Sequence, residues 1–284
     1  MKSTDSIQHV SDTAFWVAMH RITETERNDA LFRDPLAQIL VGERGKKIAD
    51  SMASTAKYSY WTLTIRTCVI DAFIKKYTNE GYSTIINLGS GLDTRPYRLD
   101  IPSHVHWIEI DFPEIIALKN EKLKQEKPKC KLERIGADLS DPTERRRVFS
   151  DLNKRVGPAI ILTEGVIPYL TEALVRDLAT HLKEYSNFKL WISEYYDPKL
   201  YPRFQAKGFQ KLLGDSPFRF FPADWFSFFK NCGWEKKEIR YLYDEGDRVG
   251  RPFPLPWFAS LIQWVFGKKA MAKHVRLQAY VVFE

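Results

Sequence analysis

Residues 84–95 read Thr-Ile-Ile-Asn-Leu-Gly-Ser-Gly-Leu-Asp-Thr-Arg, a short apolar run that empties straight into a Gly-x-Gly turn. The run reads as a buried strand, and the turn as a place where Cβ atoms would be in the way. Glycines at 89 and 91 let the backbone take positive φ and lie close to a bound molecule. About 20 residues further on, Val105-His106-Trp107-Ile108-Glu109-Ile110-Asp111 forms a second apolar strand ending in an acid, the spacing at which a carboxylate reaches ribose hydroxyls. Two successive strands that present ligand groups at their C-terminal ends point to a Rossmann-like sheet.

The turn nevertheless departs from the dinucleotide fingerprint. It lacks the third glycine of G-x-G-x-x-G, and Asp93 stands where a pyrophosphate would need positive neighbours and free amides. A ligand with a ribose and an amino group but no phosphate suits the turn better, and S-adenosylmethionine is such a ligand.

Beyond Tyr82 the chain alternates. Thr84–Leu88, Val105–Asp111, Lys131–Ala137, Ala159–Thr163 and Lys189–Glu194 read as strands, with helical spacing in Pro113–Glu126, Pro142–Lys154 and Thr171–Tyr185 between them. Pro113 and Pro142 fall where proline is tolerated at a helix start. Alternation of this kind predicts a mostly parallel sheet covered by helices. Glu235–Tyr243 and His274–Glu284 read as two closing strands, which makes seven. Helix-compatible segments at Thr13–Glu24, Pro35–Leu40 and Tyr58–Tyr77 give an N-terminal helical cap over residues 1–80, followed by a core over 81–284 with aromatic-rich insertions at about 200–232 and 246–273.

The charge and cysteine patterns remove other classes. The net charge of +7 is dispersed in short runs mixed with acids, such as Lys119–Lys131 and Arg145-Arg146-Arg147, and no nucleic-acid-binding module accompanies it. A solvated surface accounts for the charge, and nucleic acid ranks below a small molecule as the expected partner. Cys68, Cys130 and Cys232 are scattered, with neither C-x-x-C spacing nor a disulfide framework, so no metal site is expected. No apolar run reaches the roughly 20 residues that span a bilayer, and the amino terminus is polar, which together give a cytoplasmic expectation.

Four strings carry a resemblance. They are Asn87-Leu88-Gly89-Ser90-Gly91-Leu92-Asp93-Thr94-Arg95-Pro96-Tyr97-Arg98-Leu99, Glu109-Ile110-Asp111-Phe112-Pro113, Gly136-Ala137-Asp138-Leu139 and Thr163-Glu164-Gly165-Val166-Ile167-Pro168-Tyr169-Leu170. In this order, over roughly residues 15 to 195, the chain resembles the leucine carboxyl methyltransferase-like family of S-adenosylmethionine-dependent O-methyltransferases. Arg95 after Asp-Thr, and Asp34-Pro35-Leu36-Ala37 upstream, are more similar to the bacterial polyketide O-methyltransferase-like branch. The resemblance implies a class I methyltransferase fold with S-adenosylmethionine as cofactor. It implies that Gly89 and Gly91 line the methionine portion, Asp111 accepts from the ribose hydroxyls, and Asp138 with the Leu139 backbone meets the adenine edge. It further implies that Arg66 pairs with the cofactor carboxylate, that Glu164 lies near the amino group, and that Tyr169 faces the acceptor. Arg21 is a candidate for the cofactor carboxylate or an acidic substrate. Asp111 has a second reading as a helix cap, and Asp138 one as a turn former.

Methyl transfer from a sulfonium asks mainly for alignment and exclusion of water. A carboxylate acceptor needs no base, whereas a phenol with a pKa of about 10 gains from one. His20, His104, His106 and His181 are bases by residue type only, so no catalytic residue is assigned, and Tyr169 and Tyr195 are the candidates that position the acceptor. The aromatic blocks Phe218–Phe229 and Phe253–Phe266 read as walls of an acceptor pocket. The expected activity is O-methylation of a carboxylate or phenolic hydroxyl on a small molecule, polyketide-like by the branch resembled. The alternatives are a protein C-terminal carboxyl methyltransferase, a nicotinamide-dependent oxidoreductase on the same sheet, and a cofactor-binding module without catalysis.

Overall fold

The apolar runs of the sequence become the strands β1 (Thr84–Leu88), β2 (His106–Asp111), β3 (Lys131–Gly136), β4 (Ala159–Thr163), β5 (Phe188–Tyr196), β6 (Lys236–Tyr241) and β7 (Gln278–Phe283). The structure, a computed structural model, describes residues 10–42, 56–213, 216–255 and 274–284. The seven strands form one sheet in the order β3-β2-β1-β4-β5-β7-β6. The first five are parallel, and β7 runs antiparallel to both β5 and β6. This is the Rossmann-like arrangement of class I methyltransferases. The strand expected over Glu235–Tyr243 stops at Tyr241, because Leu242–Arg248 turns into a helix.

Alternation along each strand divides the core into two layers. Ile86, Ile161 and Trp191 pack with the helices Pro142–Arg155, Glu172–Lys183 and Trp225–Lys230. Ile85, Ile160, Leu162 and Leu190 face the other way, onto Ile65, Val69, Ile70, Phe73 and Tyr77 of the helix Ala56–Asn79. That helix is therefore a layer of the core. Residue 80 marks a change from helices to strands, and the packing runs on across it. The helix Val10–Thr25 and the helical stretch 35–42 form a smaller apolar cluster with Leu92 and Leu123, beside the glycine turn.

The helix Glu172–Lys183 shows how local sequence sets this arrangement. Thr171 caps it by accepting from the Leu174 N–H, Glu172 occupies the first turn where the helix dipole favours an acid, and Val175, Leu178, Ala179 and Leu182 recur at helical spacing on the buried face. Toward the β3 edge of the sheet, Glu109 of β2 is fully buried yet paired with Lys119 at 2.8 Å and Arg134 at 2.8 Å.

Register places the site. Leu88 of β1 stands opposite Ile110 of β2 and Thr163 of β4, so the turns after these three strands share one end of the sheet. The chain reverses its direction of progress across the sheet between β1 and β4, the switch point at which such sheets open a crevice.

Gly89 is required by this geometry, since its φ is +65° and a Cβ there would stand 2.6 Å from Val166 Cγ2. Replacing Gly89 with Ala is expected to destabilise the fold by about 2 kcal/mol or more, through left-handed strain plus the collision. A lowered urea midpoint at unchanged m-value checks this; a wild-type midpoint would show that Val166 yields freely.

Candidate functional site

A cavity of about 770 Å³ opens at the C-terminal ends of the strands. Arg21, Arg66, Gly89, Gly91, Asp111, Asp138, Leu139, Glu164 and Tyr169, nine of the ten residues singled out from sequence, line it together. Tyr195 does not.

The polar floor of the cavity is a buried ion network centred on Arg95, which is 2% exposed. Its Nε donates to Asp71 at 2.6 Å, and its Nη1 donates to Asp93 at 2.8 Å and to Glu164 at 2.7 Å. Arg98 donates to both oxygens of Asp71, and Arg66 Nε lies 2.9 Å from Glu164 Oε1. Burial by itself raises the Glu164 carboxyl, but Arg95 and Arg66 overcome it and hold the group below its ordinary value. Asp93 is likewise kept ionised against burial, chiefly by Arg95. Asp93 thus faces Arg95 and the Asn87 amide at 3.0 Å, so a ligand amine would meet a carboxylate already engaged by the protein.

Arg21 is also engaged. Its Nε pairs with Asp34 at 2.7 Å and its Nη2 donates to the Leu92 carbonyl at 2.6 Å, which ties the helix Val10–Thr25 to the glycine turn. Gly91, at φ +47°, faces Ala14 of that helix, and a Cβ would come 3.2 Å from the Ala14 Cβ. The turn at 91 is therefore shaped by protein packing as well as by any ligand, and Gly91→Val would strain the fold before it blocked a ligand.

Asp111 Oδ2 accepts from the Gly91 N–H at 2.6 Å, and Oδ1 accepts from its neighbour Phe112 N–H at 2.7 Å. Burial raises this carboxyl above its ordinary value despite those two donors. One accepted bond per oxygen leaves further lone pairs for ligand hydroxyls. Asp138 accepts from the Ser140 N–H at 2.9 Å and the Ser140 hydroxyl at 2.7 Å, so the turn-forming role is real while the residue still lines the cavity.

The far end is aromatic. Tyr169, which shares a hydrogen bond with Thr13, meets Phe218 at a ring distance of 5.1 Å, and Tyr196, Phe204 and Phe209 complete this end. Tyr196, missed from sequence, takes the place expected of Tyr195. Neighbouring residues of a strand point to opposite faces, and Tyr195 stacks on Phe226 at 5.0 Å inside the core. The aromatic block also divides. Phe218 reaches the cavity, whereas Phe220, Trp225, Phe228 and Phe229 pack with Trp191 and Trp234 in the core. Of the second block, Phe253 lines the cavity against Trp61, and residues 256–273 lie outside those described.

None of the four histidines considered above lines the cavity; His274 does. Burial and Arg66 lower His20 to about 4. Among the described residues no three His, Cys, Asp or Glu side chains are grouped to hold a metal ion, and no helix is long and apolar enough to cross a membrane.

Glu194, 1% exposed, lies behind the site and accepts from the Val166 N–H at 3.2 Å. Burial pushes its carboxyl up to about 7. Such a group keeps its proton in the fold but loses it in the unfolded chain, so its contribution is fully present below the ordinary glutamate range and is lost as pH rises to about 7. The wild-type protein is expected to lose on the order of 3 kcal/mol relative to Glu194→Gln over this interval. Urea unfolding of both proteins from about pH 4.5 to 8 measures the difference, and a pH-independent difference would contradict the assignment.

The comparisons accord with this geometry. Residues 14–183 match the family model described as leucine carboxyl methyltransferase. A Mycobacteroides abscessus protein named "Putative S-adenosyl-L-methionine-dependent methyltransferase" is 34% identical over 181 residues, 58% of this chain and 58% of its own length. A second protein of that organism, under the same name, is 27% identical over 278 residues, covering 88% of this chain and 90% of its own. The solved structure of a DUF574 family protein from Streptomyces avermitilis shares the fold with a TM-score of 0.59 at 13% identity, over 94% of this chain and 96% of that one. The chain belongs to the leucine carboxyl methyltransferase family and is an S-adenosylmethionine-dependent methyltransferase.

Proposed function

We propose that the protein methylates a carboxylate or phenolic oxygen of a small, flat or apolar molecule. The observation that carries this reading is the polarity of the cavity, which has paired charges and turn amides at one end and the rings of Tyr169, Tyr196, Phe204, Phe209 and Phe218 at the other. The family accounts for the cofactor, and the aromatic end supports the choice of acceptor.

The residues present fit S-adenosylmethionine, which supplies an activated methyl group when bound. Arg66 and Glu164, held face to face at 2.9 Å, are the complement of an amino-acid zwitterion, with the guanidinium for its carboxylate and the carboxylate for its ammonium. Asp111 retains acceptor capacity for ribose hydroxyls, and the Asp138–Leu139 loop, which lines the same cavity, is assigned to the base edge. Gly89 and Gly91 keep the turn narrow. Arg21 acts through the turn it ties to the N-terminal helix.

On the acceptor side, Tyr169 and Tyr196 supply the polar contacts among otherwise apolar rings, and they aim an acceptor oxygen while the rings exclude water. A carboxylate arrives ionised, so this arrangement suffices for it without a base.

S-adenosylhomocysteine is expected to bind and raise the melting temperature, whereas NAD and NADP are not. Stabilisation by NAD alone would remove the methyltransferase reading of the site. Asp111→Asn is expected to weaken S-adenosylhomocysteine by about 1.5–3 kcal/mol in calorimetry, and a loss under about 0.5 kcal/mol would place Asp111 outside the contact.

The acceptor is tested by offering radiolabelled S-adenosylmethionine with aromatic carboxylic acids, phenols, and short peptides ending in a free carboxylate. Label is expected in the aromatic acids or phenols. Label in the peptides alone would instead identify a protein carboxyl methyltransferase.

A further inference from the structure

The loop that follows β3 leaves one backbone donor open on the cavity wall. On either side of it the chain is pinned. The Asp138 N–H donates to Glu144 Oε2 at 3.0 Å, the Asp138 carbonyl accepts from the Asp141 N–H at 3.1 Å, and the Ser140 N–H donates to Asp138 Oδ1 at 2.9 Å. The Leu139 carbonyl accepts from Arg145 Nη1 at 3.0 Å. Among the described residues the Leu139 N–H donates to nothing, although Leu139 is half-buried and lines the cavity. A half-buried backbone donor without a protein partner, on a residue that lines the cavity, is free to bond a partner that enters it.

Arg145 is what holds the neighbouring peptide still. It is 3% exposed, it lines the cavity, and its fork reaches two residues of the helix Glu172–Lys183 while it grips the loop. Nη2 pairs with Asp177, and Nε donates to His181 Nδ1 at 3.3 Å. That last bond requires a neutral imidazole with Nδ1 as acceptor, which leaves the Nε2 proton for the Tyr185 hydroxyl 3.1 Å away. Burial, with Arg146 and Arg145 nearby, lowers the His181 pKa and favours that form. A planar guanidinium can serve these three partners at once, and an ammonium cannot reproduce the fork.

We infer that Arg145 is a positioning residue for purine recognition. By fixing the Leu139–Ser140 peptide against the helix Glu172–Lys183, it aims the adjoining Leu139 N–H at an acceptor nitrogen on the edge of the cofactor's adenine. The inference rests on the S-adenosylmethionine reading of the cavity. It adds a residue that acts through the loop.

The decisive measurement compares S-adenosylhomocysteine with S-inosylhomocysteine, whose hypoxanthine carries a hydrogen on the ring nitrogen that is an acceptor in adenine. Calorimetric Kd values for both are taken for the wild-type protein, Arg145→Met and Arg145→Lys. The wild-type protein is expected to prefer the adenosyl compound, and Arg145→Met to lose about tenfold of that preference with the inosyl affinity little changed. Where Arg145→Met does not fold, Arg145→Lys decides, because it keeps the charge and the stem but not the fork, and the same loss in smaller measure is expected. An unchanged preference in the deciding variant, or an equal loss for both ligands, overturns the positioning role. A wild-type protein that binds both ligands equally overturns it too while leaving the cofactor reading intact. Binding of neither ligand removes the cofactor reading itself.

Discussion

One guanidinium holds the polar end of this molecule together. Arg95 contacts a carboxylate from the helix Ala56–Asn79, one from its own turn and one from the end of β4, all in a setting where each charge would be strongly disfavoured alone. With Arg66 and Arg98 the network balances three arginines against Asp71, Asp93 and Glu164. Taking one partner from such a set leaves an uncompensated buried charge, a loss of about 3–5 kcal/mol. The glycine turn, the long helix and the Glu164 loop are therefore fixed relative to one another before any ligand arrives, and the cavity inherits its shape from that constraint.

This explains which parts of the site could be read from sequence. Gly89 and Asp111 stand out because a glycine turn after one apolar strand and an acid ending the next, about 20 residues on, recur at the spacing of a ribose-binding sheet, and the sheet follows from that spacing. Asp71 and Arg95 could be seen as charged residues, but nothing local says that a helix residue 24 positions upstream will meet Arg95. Pairing across the sheet is decided by packing. Tyr195 and Tyr196 show the opposite limit. Both are aromatic and adjacent, and a shift of a single residue in strand phase determines which faces the cavity and which stacks on Phe226. The block Phe218–Phe229 misled for a similar reason: its composition suggests a wall, yet most of its rings fill the gap between β5 and the helix Trp225–Lys230.

The family match ends at residue 183, before β5 begins at Phe188. All the groups with which the cofactor has been associated here precede that boundary, whereas Tyr196, Phe204, Phe209 and Phe218 follow it. The aromatic end is thus written mostly beyond the matched segment, with Tyr169 the ring that the two share.

The position of β7 has a consequence for how the chain is made. It lies between β5 and β6, and among the described residues it is the only strand to which β6 is paired. A chain emerging residue by residue from the ribosome must therefore carry β5 with one side open, and β6 without its strand partner, until Gln278–Phe283 has been synthesised. Open strand edges recruit other chains. The sequence of β6, Lys236-Lys237-Glu238-Ile239-Arg240-Tyr241, is crowded with charge, and charge on a waiting strand discourages such encounters during synthesis. Among the described strands the last to be made is thus the one that closes the sheet, and the open edge of β5 stays available until it docks.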